Sequence, residues 1–332
     1  MLDDWVYTYV PRLFCGLAFV VNPIFVYLIF TENTSKFGNY RFLLLFFAMF
    51  NLTYSVVNVL VPLDIHSYRY CFFLITRTGP FVQNSDFNLD MMAGRCSLVA
   101  ASYAILLIHF IYRYLAIHNS MLTRKNFHWY MSFSLLVFGF YLGVWQAICS
   151  IPGRANLEIR QYIREEFRQT YGNDSMDYNM LGALFHEGSE ETQIRSWTAV
   201  GLWSGVSTVS IIMFLILARM IIKRLNSMTI TASKKTSKFQ VELLRALVVQ
   251  TVVPIIISFS PCLLCWYTPI FGIQLARGFN YFEVSSLGVF AFVDPIAISM
   301  CLPIFRQRIF SCCRQSTIFS AAKSSSDHQN TR

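Results

Sequence analysis

The sequence contains few charged residues for its length. Only 14% of the 332 residues are Asp, Glu, Lys or Arg, whereas soluble proteins average about 25%. Hydrophobic residues account for 55% of the chain and aromatic residues for 16%. This composition excludes an ordinary soluble domain and predicts a protein that crosses a membrane several times.

Several chemical motifs are also missing. The nine cysteines contain no second Cys-x-x-Cys pair, and Cys262 and Cys265 fall inside an apolar run, so we expect no zinc or other metal site. No apolar segment carries paired carboxylates, a His-rich cluster or Gly-x-Ser-x-Gly, which argues against an enzyme and a cofactor. The net charge of +9 comes from short basic loops, so we expect no nucleic-acid partner.

Seven apolar segments are long enough to cross a bilayer. A helix rises about 1.5 Å per residue, so about 20 residues span the roughly 30 Å hydrocarbon core. The third segment has only His109 and Arg113 as chargeable residues. We predict an all-α membrane protein with a seven-transmembrane helix bundle over residues 10–303. Its spans are predicted at 10–30, 42–63, 96–117, 130–151, 197–222, 243–267 and 282–303.

The distribution of Lys and Arg predicts the orientation. Both are more frequent in the loops after the first, third and fifth spans and in the tail, which places these segments in the cytoplasm. Residues 1–9 then form an extracellular N-terminus, and residues 304–332 form a cytoplasmic tail. The longest loop, 152–196, lies outside, and its spacing of apolar residues predicts a short amphipathic helix around Ile159 and Phe167. Asn173 begins an Asn-x-Ser sequon in this loop and is a glycosylation candidate.

The start of the tail also has an amphipathic pattern. Phe305 and Ile309 share one side of a predicted helix that begins at residue 304, with arginines among them. This pattern is typical of a helix that lies on the inner leaflet. Cys312 and Cys313, at the end of this segment, are palmitoylation candidates.

Three polar residues interrupt the apolar spans at similar depth. Asn22, Asn51 and Asp294 belong to the first, second and seventh spans, and a buried polar group in a membrane needs a partner. We therefore predict an interhelical hydrogen-bond network. It either sets the register of the helices or rearranges when the bundle changes state.

Two chargeable residues share one face of the third span. His109 and Arg113 are four residues apart, so a partner of Arg113 should lie against that face. Glu242, at the start of the sixth span, is the candidate carboxylate on the basis of depth alone. For His109 we expect a core histidine bonded to a backbone carbonyl. Pro254 and Pro261 predict bends in the sixth span.

These features together resemble a G-protein-coupled receptor, and three motifs resemble the Str and Srj serpentine chemoreceptors of nematodes. The motifs are the run from Phe37 to Arg41, the run from His109 to Tyr114, and Asp294-Pro295 followed by Phe305-Arg306. The resemblance covers residues 11–314.

The resemblance implies roles for particular residues. Arg113, with Tyr112 and Tyr114 beside it, stands where rhodopsin-like receptors keep the arginine that meets the G protein, although Tyr112 replaces the usual acid. Asp294 and Asn51 stand where those receptors usually have Asn and Asp. The loop 152–196 has no cysteine for the common bridge to the third helix, so Cys71 and Cys96 remain as disulfide candidates, with Cys149 as a third.

The resemblance also implies the function. We expect a chemosensory, olfactory-type receptor in the plasma membrane, in the sensory cilium of chemosensory neurons, that signals to a heterotrimeric G protein by a ligand-shifted equilibrium. The ligand is expected to be a small, weakly polar odorant, and the pocket candidates are Tyr103, Trp203, Trp266 and Tyr267. Association into a homo- or heterodimer is left open. The alternative is a seven-helix transporter or ligand-gated channel, which needs polar residues along a path.

Overall fold

The computed structural model describes residues 2–31, 37–228, 234–256, 260–274 and 277–309. Long helices dominate these ranges, and a small sheet lies at one end of the helix bundle. In chain order the elements are α1 (Leu2–Thr31), α2 (Tyr40–Leu60), β1 (Leu63–Tyr68), β2 (Cys71–Thr76), α3 (Asp86–Ile117), α4 (Met121–Arg124), α5 (Phe127–Ser150), α6 (Leu157–Tyr162), α7 (Arg164–Tyr171), β3 (Met180–Leu184), α8 (Glu190–Met228), α9 (Lys234–Pro254), α10 (Ser260–Tyr267) and α11 (Arg277–Cys301).

Six helices are long and apolar enough to cross a membrane, namely α1, α2, α3, α5, α8 and α11. They confirm six of the seven predicted spans. Large apolar side chains such as Phe19, Leu136 and Ile212 remain exposed on α1, α5 and α8. Such surfaces match the lipid tails of a bilayer, whereas a soluble protein would bury them.

The predicted sixth span, 243–267, contains residues 257–259, which lie outside the described ranges, and the described residues on both sides of them are helical. The stretch is divided between α9, which ends at Pro254, and α10, which begins at Ser260. Pro254 has no N–H to donate to the helix, and Pro261 occupies the first turn of α10, where a proline is tolerated. Pro254 is the last α-helical residue before the π-helical residues 255–256, and the bends predicted at the two prolines stay a prediction. Neither part alone meets the length and hydropathy of a span, so the seven-span count is not confirmed by the described helices.

Helix α3 is the centre of the bundle. The most apolar part of α3 is 78% buried, compared with 22% to 53% for the other five candidate spans. It contacts α2, α5, α8 and α9. It also begins ten residues earlier than predicted, because the Oγ of Ser85 caps it by accepting from the backbone N–H of Asn88 at 3.2 Å. Hydropathy marks only the lipid-buried length of a helix, so the prediction missed these polar turns.

The three-stranded sheet was not predicted. Its order is β1-β2-β3, and both pairings are antiparallel. Tyr68 pairs with Cys71 across a two-residue turn, and Cys71 pairs in turn with Leu184. We call the end of the bundle that this sheet covers the sheet end.

The two faces of the sheet pack against different layers. Phe72 and Leu74 belong to the cluster that includes Trp203 of the bundle, whereas Phe73 and Ile75 pack with the residues of α6 and α7. Because successive side chains of a strand point to opposite faces, β2 is buried on both. The sheet is therefore a middle layer between the helix bundle and the outer helices.

The amphipathic helix expected in the loop 152–196 is present as two short helices, α6 and α7. Ile159, Ile163 and Phe167 are fully or almost fully buried against the sheet. The Oδ1 of Asn156 caps α6 by accepting from the backbone N–H of Ile159 at 3.0 Å. The apolar spacing thus predicted the buried face of this loop.

The opposite end of the bundle, where the chain leaves α11, is called the tail end. Residues 303–309 are helical, with Phe305 buried and Arg306 and Arg308 exposed, which agrees with the amphipathic pattern. The Phe305 ring stacks on Phe37, with centroids 5.4 Å apart. The palmitoylation candidates, Cys312 and Cys313, lie outside the described residues.

Candidate functional site

A cluster at the tail end of α3 is built around Tyr40 of α2. The Cζ of Arg113 lies 3.6 Å from the centroid of the Tyr40 ring. The Tyr40 hydroxyl is 2.9 Å from the Nδ1 of His109, and the Tyr112 ring stacks on the Tyr40 ring at 5.2 Å. Tyr112 and Arg113 follow His109 by three and four residues, so they lie one helical turn away on the same side of α3. All three side chains therefore reach the same tyrosine. Tyr114 is half-buried and contacts His118 instead.

The structure does not form the ion pair considered between Arg113 and Glu242. Arg113 is 4% exposed, and no carboxylate among the described residues lies within 4 Å of its guanidinium group. Its Nε and Nη2 have no hydrogen-bond partner. The Tyr40 ring occupies the face on which the carboxylate was expected. His109 is a fully buried core histidine, as expected, and its Nδ1 also lies 2.9 Å from the Tyr40 hydroxyl.

The predicted polar link between α1, α2 and α11 is formed, but Asp294 is not part of it. Asn51 Nδ2 donates to Asn22 Oδ1 at 3.2 Å, and Asn22 Nδ2 donates to the carbonyl of Ala291 on α11 at 3.0 Å. Asp294, one turn further along, is 2% exposed and its Oδ1 has no partner. The bond to α11 therefore goes to the backbone, which a sequence cannot reveal.

A cavity lies at the sheet end of the bundle. Tyr103, Trp203 and Trp266 line it, so the structure brings three of the four predicted pocket residues together. The fourth, Tyr267, does not line the cavity; it is partly exposed, and its hydroxyl lies 2.6 Å from the Oγ of Ser204. The volume open to the centre of a water-sized sphere is about 50 Å³. Four leucine and isoleucine residues of the sheet also line the cavity, namely Leu63, Ile65, Leu74 and Leu181.

Sequence analysis missed Arg95, which also lines this cavity. Its side chain is 1% exposed, its Nη2 donates to Asn58 Oδ1 at 2.6 Å, and its Cζ lies 4.4 Å from the centroid of the Tyr54 ring. Arg95 precedes the apolar run of the third span, so it was counted as a charge of the outer side that could lie in the first turns of that helix, with no role in the pocket. A usable signal was present, because Arg95, Val99 and Tyr103 recur every four residues and so share one helix face.

The disulfide considered between Cys71 and Cys96 is not formed. Cys71, Cys96 and the third candidate, Cys149, are all free thiols. The alternation of β2 points Cys71 toward α6 and α7, whereas Cys96 lines the cavity together with Cys149. Burial raises the pKa of the Cys71 thiol. The described part of the chain also holds no cluster of three His, Cys, Asp or Glu residues that fits a metal ion.

The glycosylation candidate lies on the outer surface of the α7 loop. Asn173 is exposed, and its Nδ2 donates to the Tyr178 hydroxyl at 2.9 Å. The sequon's Ser175 is buried, and its hydroxyl donates to the Arg160 carbonyl at 2.7 Å. Arg164, and Arg168 with it, hold the pKa of the Asp174 carboxyl well below its usual range. Glycosylation at Asn173 stays a prediction.

Arg160 is a buried residue that holds the α6–α7 loop in place by hydrogen bonds. Its guanidinium group donates to the carbonyls of Ser175 at 2.9 Å and Tyr178 at 2.6 Å, and to Asn84 Oδ1 at 3.3 Å. Burial lowers the pKa of Arg160. Its bond to Asn84 joins the loop to the segment before α3.

The structure is a bundle of membrane-length helices, with a cavity at one end of its central helix and a buried arginine at the other, which is the arrangement expected of a helical membrane receptor. The chain belongs to the family of serpentine type 7TM GPCR chemoreceptors Srj, whose family model matches residues 1–309. This membership confirms the resemblance noted in the sequence, and it identifies the chain as a receptor of this family and not an enzyme.

Individual relatives agree with this assignment. The chain is 64% identical over 317 residues to serpentine receptor class J-38 of Caenorhabditis elegans, which covers 96% of each chain. It is 23% identical to serpentine receptor class r-10 of Caenorhabditis briggsae, over 93% of this chain and 91% of that one. It is 22% identical to the G-protein coupled receptor str-217 of C. elegans, over 90% and 87% of the two chains.

Proposed function

We propose that this protein is a chemosensory receptor that binds a small, largely apolar molecule at the sheet end and activates a heterotrimeric G protein at the tail end. One observation carries the proposal: the central helix α3 both lines the cavity, through Arg95 and Tyr103, and carries Arg113. Tyr103 and Arg113 are ten residues apart, which is about 15 Å along a helix. A shift of α3 at the cavity therefore also moves Arg113, because both lie on one continuous helix.

The proposed orientation puts the N-terminus and the sheet end outside the cell. The excess of Lys and Arg in the loops of the tail end supports it. The cavity then lies at the exterior end of the bundle, where an odorant arrives, and Arg113 lies at the cytoplasmic end. The proposed location is the plasma membrane of the sensory cilium of chemosensory neurons, where the receptor lies in the lipid bilayer alone or as a homo- or heterodimer.

The proposed signal is a shift between two arrangements of the bundle. Arg113 is buried against Tyr40, so in this arrangement it cannot reach a partner protein. A ligand that binds better to an arrangement with Arg113 released shifts the population toward it, by a factor of ten for each 1.4 kcal/mol of differential affinity. The Tyr40 contact then takes the place of the restraint that a neighbouring acid provides in rhodopsin-like receptors.

A signalling screen tests this function. Heterologous cells that express the receptor and a calcium reporter would be exposed to volatile and soluble chemicals. We expect ligand-evoked G-protein activation that Arg113→Ala abolishes at equal surface expression. Arg124→Ala is the matched control, since Arg124 is an exposed arginine at the same end, and it should leave the response intact. A ligand-evoked ion current that persists without G protein would overturn the proposal in favour of a transporter or channel.

A further inference from the structure

We propose that the ligand of the sheet-end cavity is a small monocarboxylic acid, and that Arg95 binds its carboxylate. This inference rests on the proposed function only in taking the cavity as the ligand site. It adds an acidic head group to the largely apolar molecule described above and replaces the weakly polar odorant expected from the sequence. It also assigns a specificity-determining role to an arginine that no motif marked.

Arg95 is a buried cation without a counter-ion. Arg95 is one of the residues that line the cavity, and no carboxylate among the described residues lies within 4 Å of its guanidinium group. The bond to Asn58 uses one of its five N–H groups, and the Tyr54 ring contacts its face. Its Nε and Nη1 have no acceptor.

A buried guanidinium group in this arrangement lowers the stability of the protein unless an anion binds to it. A buried charge needs a partner of opposite charge as well as hydrogen bonds, and neither an amide oxygen nor an aromatic ring is an anion. The planar guanidinium group with free N–H groups matches the geometry of a carboxylate. An anionic ligand therefore neutralises the charge of Arg95 and accepts hydrogen bonds from its free N–H groups, whereas a neutral ligand leaves the charge uncompensated.

The rest of the cavity specifies the body of the ligand. Its walls are mostly apolar or aromatic, and Trp203, Trp266 and Leu263 face the space beside Arg95. The Trp203 indole Nε1 is a second buried donor without an acceptor in hydrogen-bonding geometry, although the Cys149 thiol, a weak acceptor, lies beside it. One cation and one neutral donor suit a single carboxylate on an apolar chain. A dicarboxylate or a phosphate would bring more charge than the cavity neutralises.

The volume limits the length of that chain. A volume that counts only the positions of sphere centres must reach about 10 to 15 Å³ to hold one water, so about 50 Å³ holds roughly three to five water-sized groups. Straight-chain acids of about two or three carbon atoms fill such a space, and an acid of four carbon atoms tests its upper limit. These acids are volatile when protonated and ionised at neutral pH, which suits a ligand that arrives as an odorant and binds as an anion.

A binding measurement separates this inference from the proposed signalling function. The full-length receptor in nanodiscs would be titrated with sodium acetate, propionate and butyrate, and with the matching primary amides, while its unfolding temperature is followed. Sodium chloride would hold the ionic strength constant and would also be titrated alone. We expect at least one acid to stabilise the receptor at a concentration ten- to a hundredfold lower than its amide, the range that a charge-assisted hydrogen bond provides.

Variants assign the preference to Arg95. Arg95→Gln should reduce the acid-over-amide preference to about threefold or less, and Arg95→Lys should retain part of it. Arg154→Gln is the matched control, because Arg154 lies at the same end, is partly exposed and pairs with Asp86 at 2.8 Å outside the cavity. It should leave the preference unchanged.

The outcomes are distinct. Equal binding of acids and amides, a chloride effect that accounts for the whole shift, or a preference that survives Arg95→Gln would each overturn the inference. If Arg95→Gln does not fold, the acid-against-amide comparison on the unmodified receptor still decides it. Acids that bind but evoke no G-protein response would contradict the proposed function and leave the carboxylate site intact.

Discussion

Arg113 of α3 rests on the ring of Tyr40 of α2, with its Cζ 3.6 Å from the ring centroid. In a desolvated site a cation–π contact of this kind contributes about 2 kcal/mol. Tyr112, which replaces the acid beside the arginine, stacks on the same ring. The arginine is thus restrained by an aromatic cluster, where related receptors are expected to use a carboxylate.

Loss of the Tyr40 ring should raise basal signalling. Tyr40→Leu removes the contact with Arg113, so we expect basal G-protein activity to rise severalfold, up to about 30-fold if the full 2 kcal/mol is lost. Tyr40→Phe keeps the ring and removes only the hydroxyl that bonds to His109. It should stay near the basal level of the unmodified receptor. Equal activation by both substitutions would assign the restraint to the hydroxyl.

Glu242→Gln should leave basal signalling unchanged. No ion pair joins Glu242 to Arg113, so its charge does not restrain the arginine in this arrangement. A reporter of basal G-protein activity at matched surface expression measures the effect. A clear rise in basal activity would show that the two residues pair in another arrangement of the bundle.

The asparagine link should stabilise the bundle, whereas Asp294 should not. Asn51→Leu removes the bond to Asn22, and we expect the free energy of unfolding to fall by about 0.5 to 1 kcal/mol. Asp294→Asn keeps the shape of a side chain whose Oδ1 has no partner. It should cost no stability, because an amide is cheaper to bury than a carboxylate. Thermal denaturation of the purified receptor compares the two, and a larger loss for Asp294→Asn would place Asp294 in the link.

Arg160 should be the main fastening of the α6–α7 loop. Arg160→Ala leaves the buried carbonyls of Ser175 and Tyr178 without a donor, so we expect a loss of about 1 to 3 kcal/mol. Arg164→Ala is the matched control on the same loop, and it removes only an exposed ion pair with Asp174. Its effect on the unfolding temperature should be much smaller. Equal effects would contradict the role of the buried hydrogen bonds.

A side chain at Gly153 should disturb the cavity wall. A Cβ there would lie 2.9 Å from Trp203 Cζ2 and 3.0 Å from the Ile148 carbonyl oxygen, so the indole must move. Overpacking of this kind costs about 1 to 3 kcal/mol. We expect Gly153→Ala to lower the unfolding temperature and weaken ligand binding. Gly143→Ala is the control, since a Cβ there meets no atom within 4 Å.

The residues of the cavity could be predicted from the sequence only in part. The aromatic residues Tyr103, Trp203 and Trp266 were selected by their depth in the predicted spans, and they meet in the fold. The sheet above them was missed for two reasons. Its turn uses Arg69 and Tyr70, with Arg69 at a φ of 49°, where Asn or Gly is the usual signal. In addition, β2 is buried on both faces, so it lacks the alternation of a half-exposed strand.

The amino-acid sequence by itself determined the class of protein, six of its spans, the buried face of the outer loop and Arg113 as a buried charge. Each of these follows from hydropathy, from helical period or from the cost of placing charge in a membrane, which are local properties of the chain. Only the tertiary structure decided that Tyr40 is the partner of Arg113 and that Ala291 takes the bond expected of Asp294. It also decided that Arg95 lines the cavity with no counter-ion among the described residues. Partners of buried polar groups are chosen by packing between distant segments, and hydropathy carries no information about that choice.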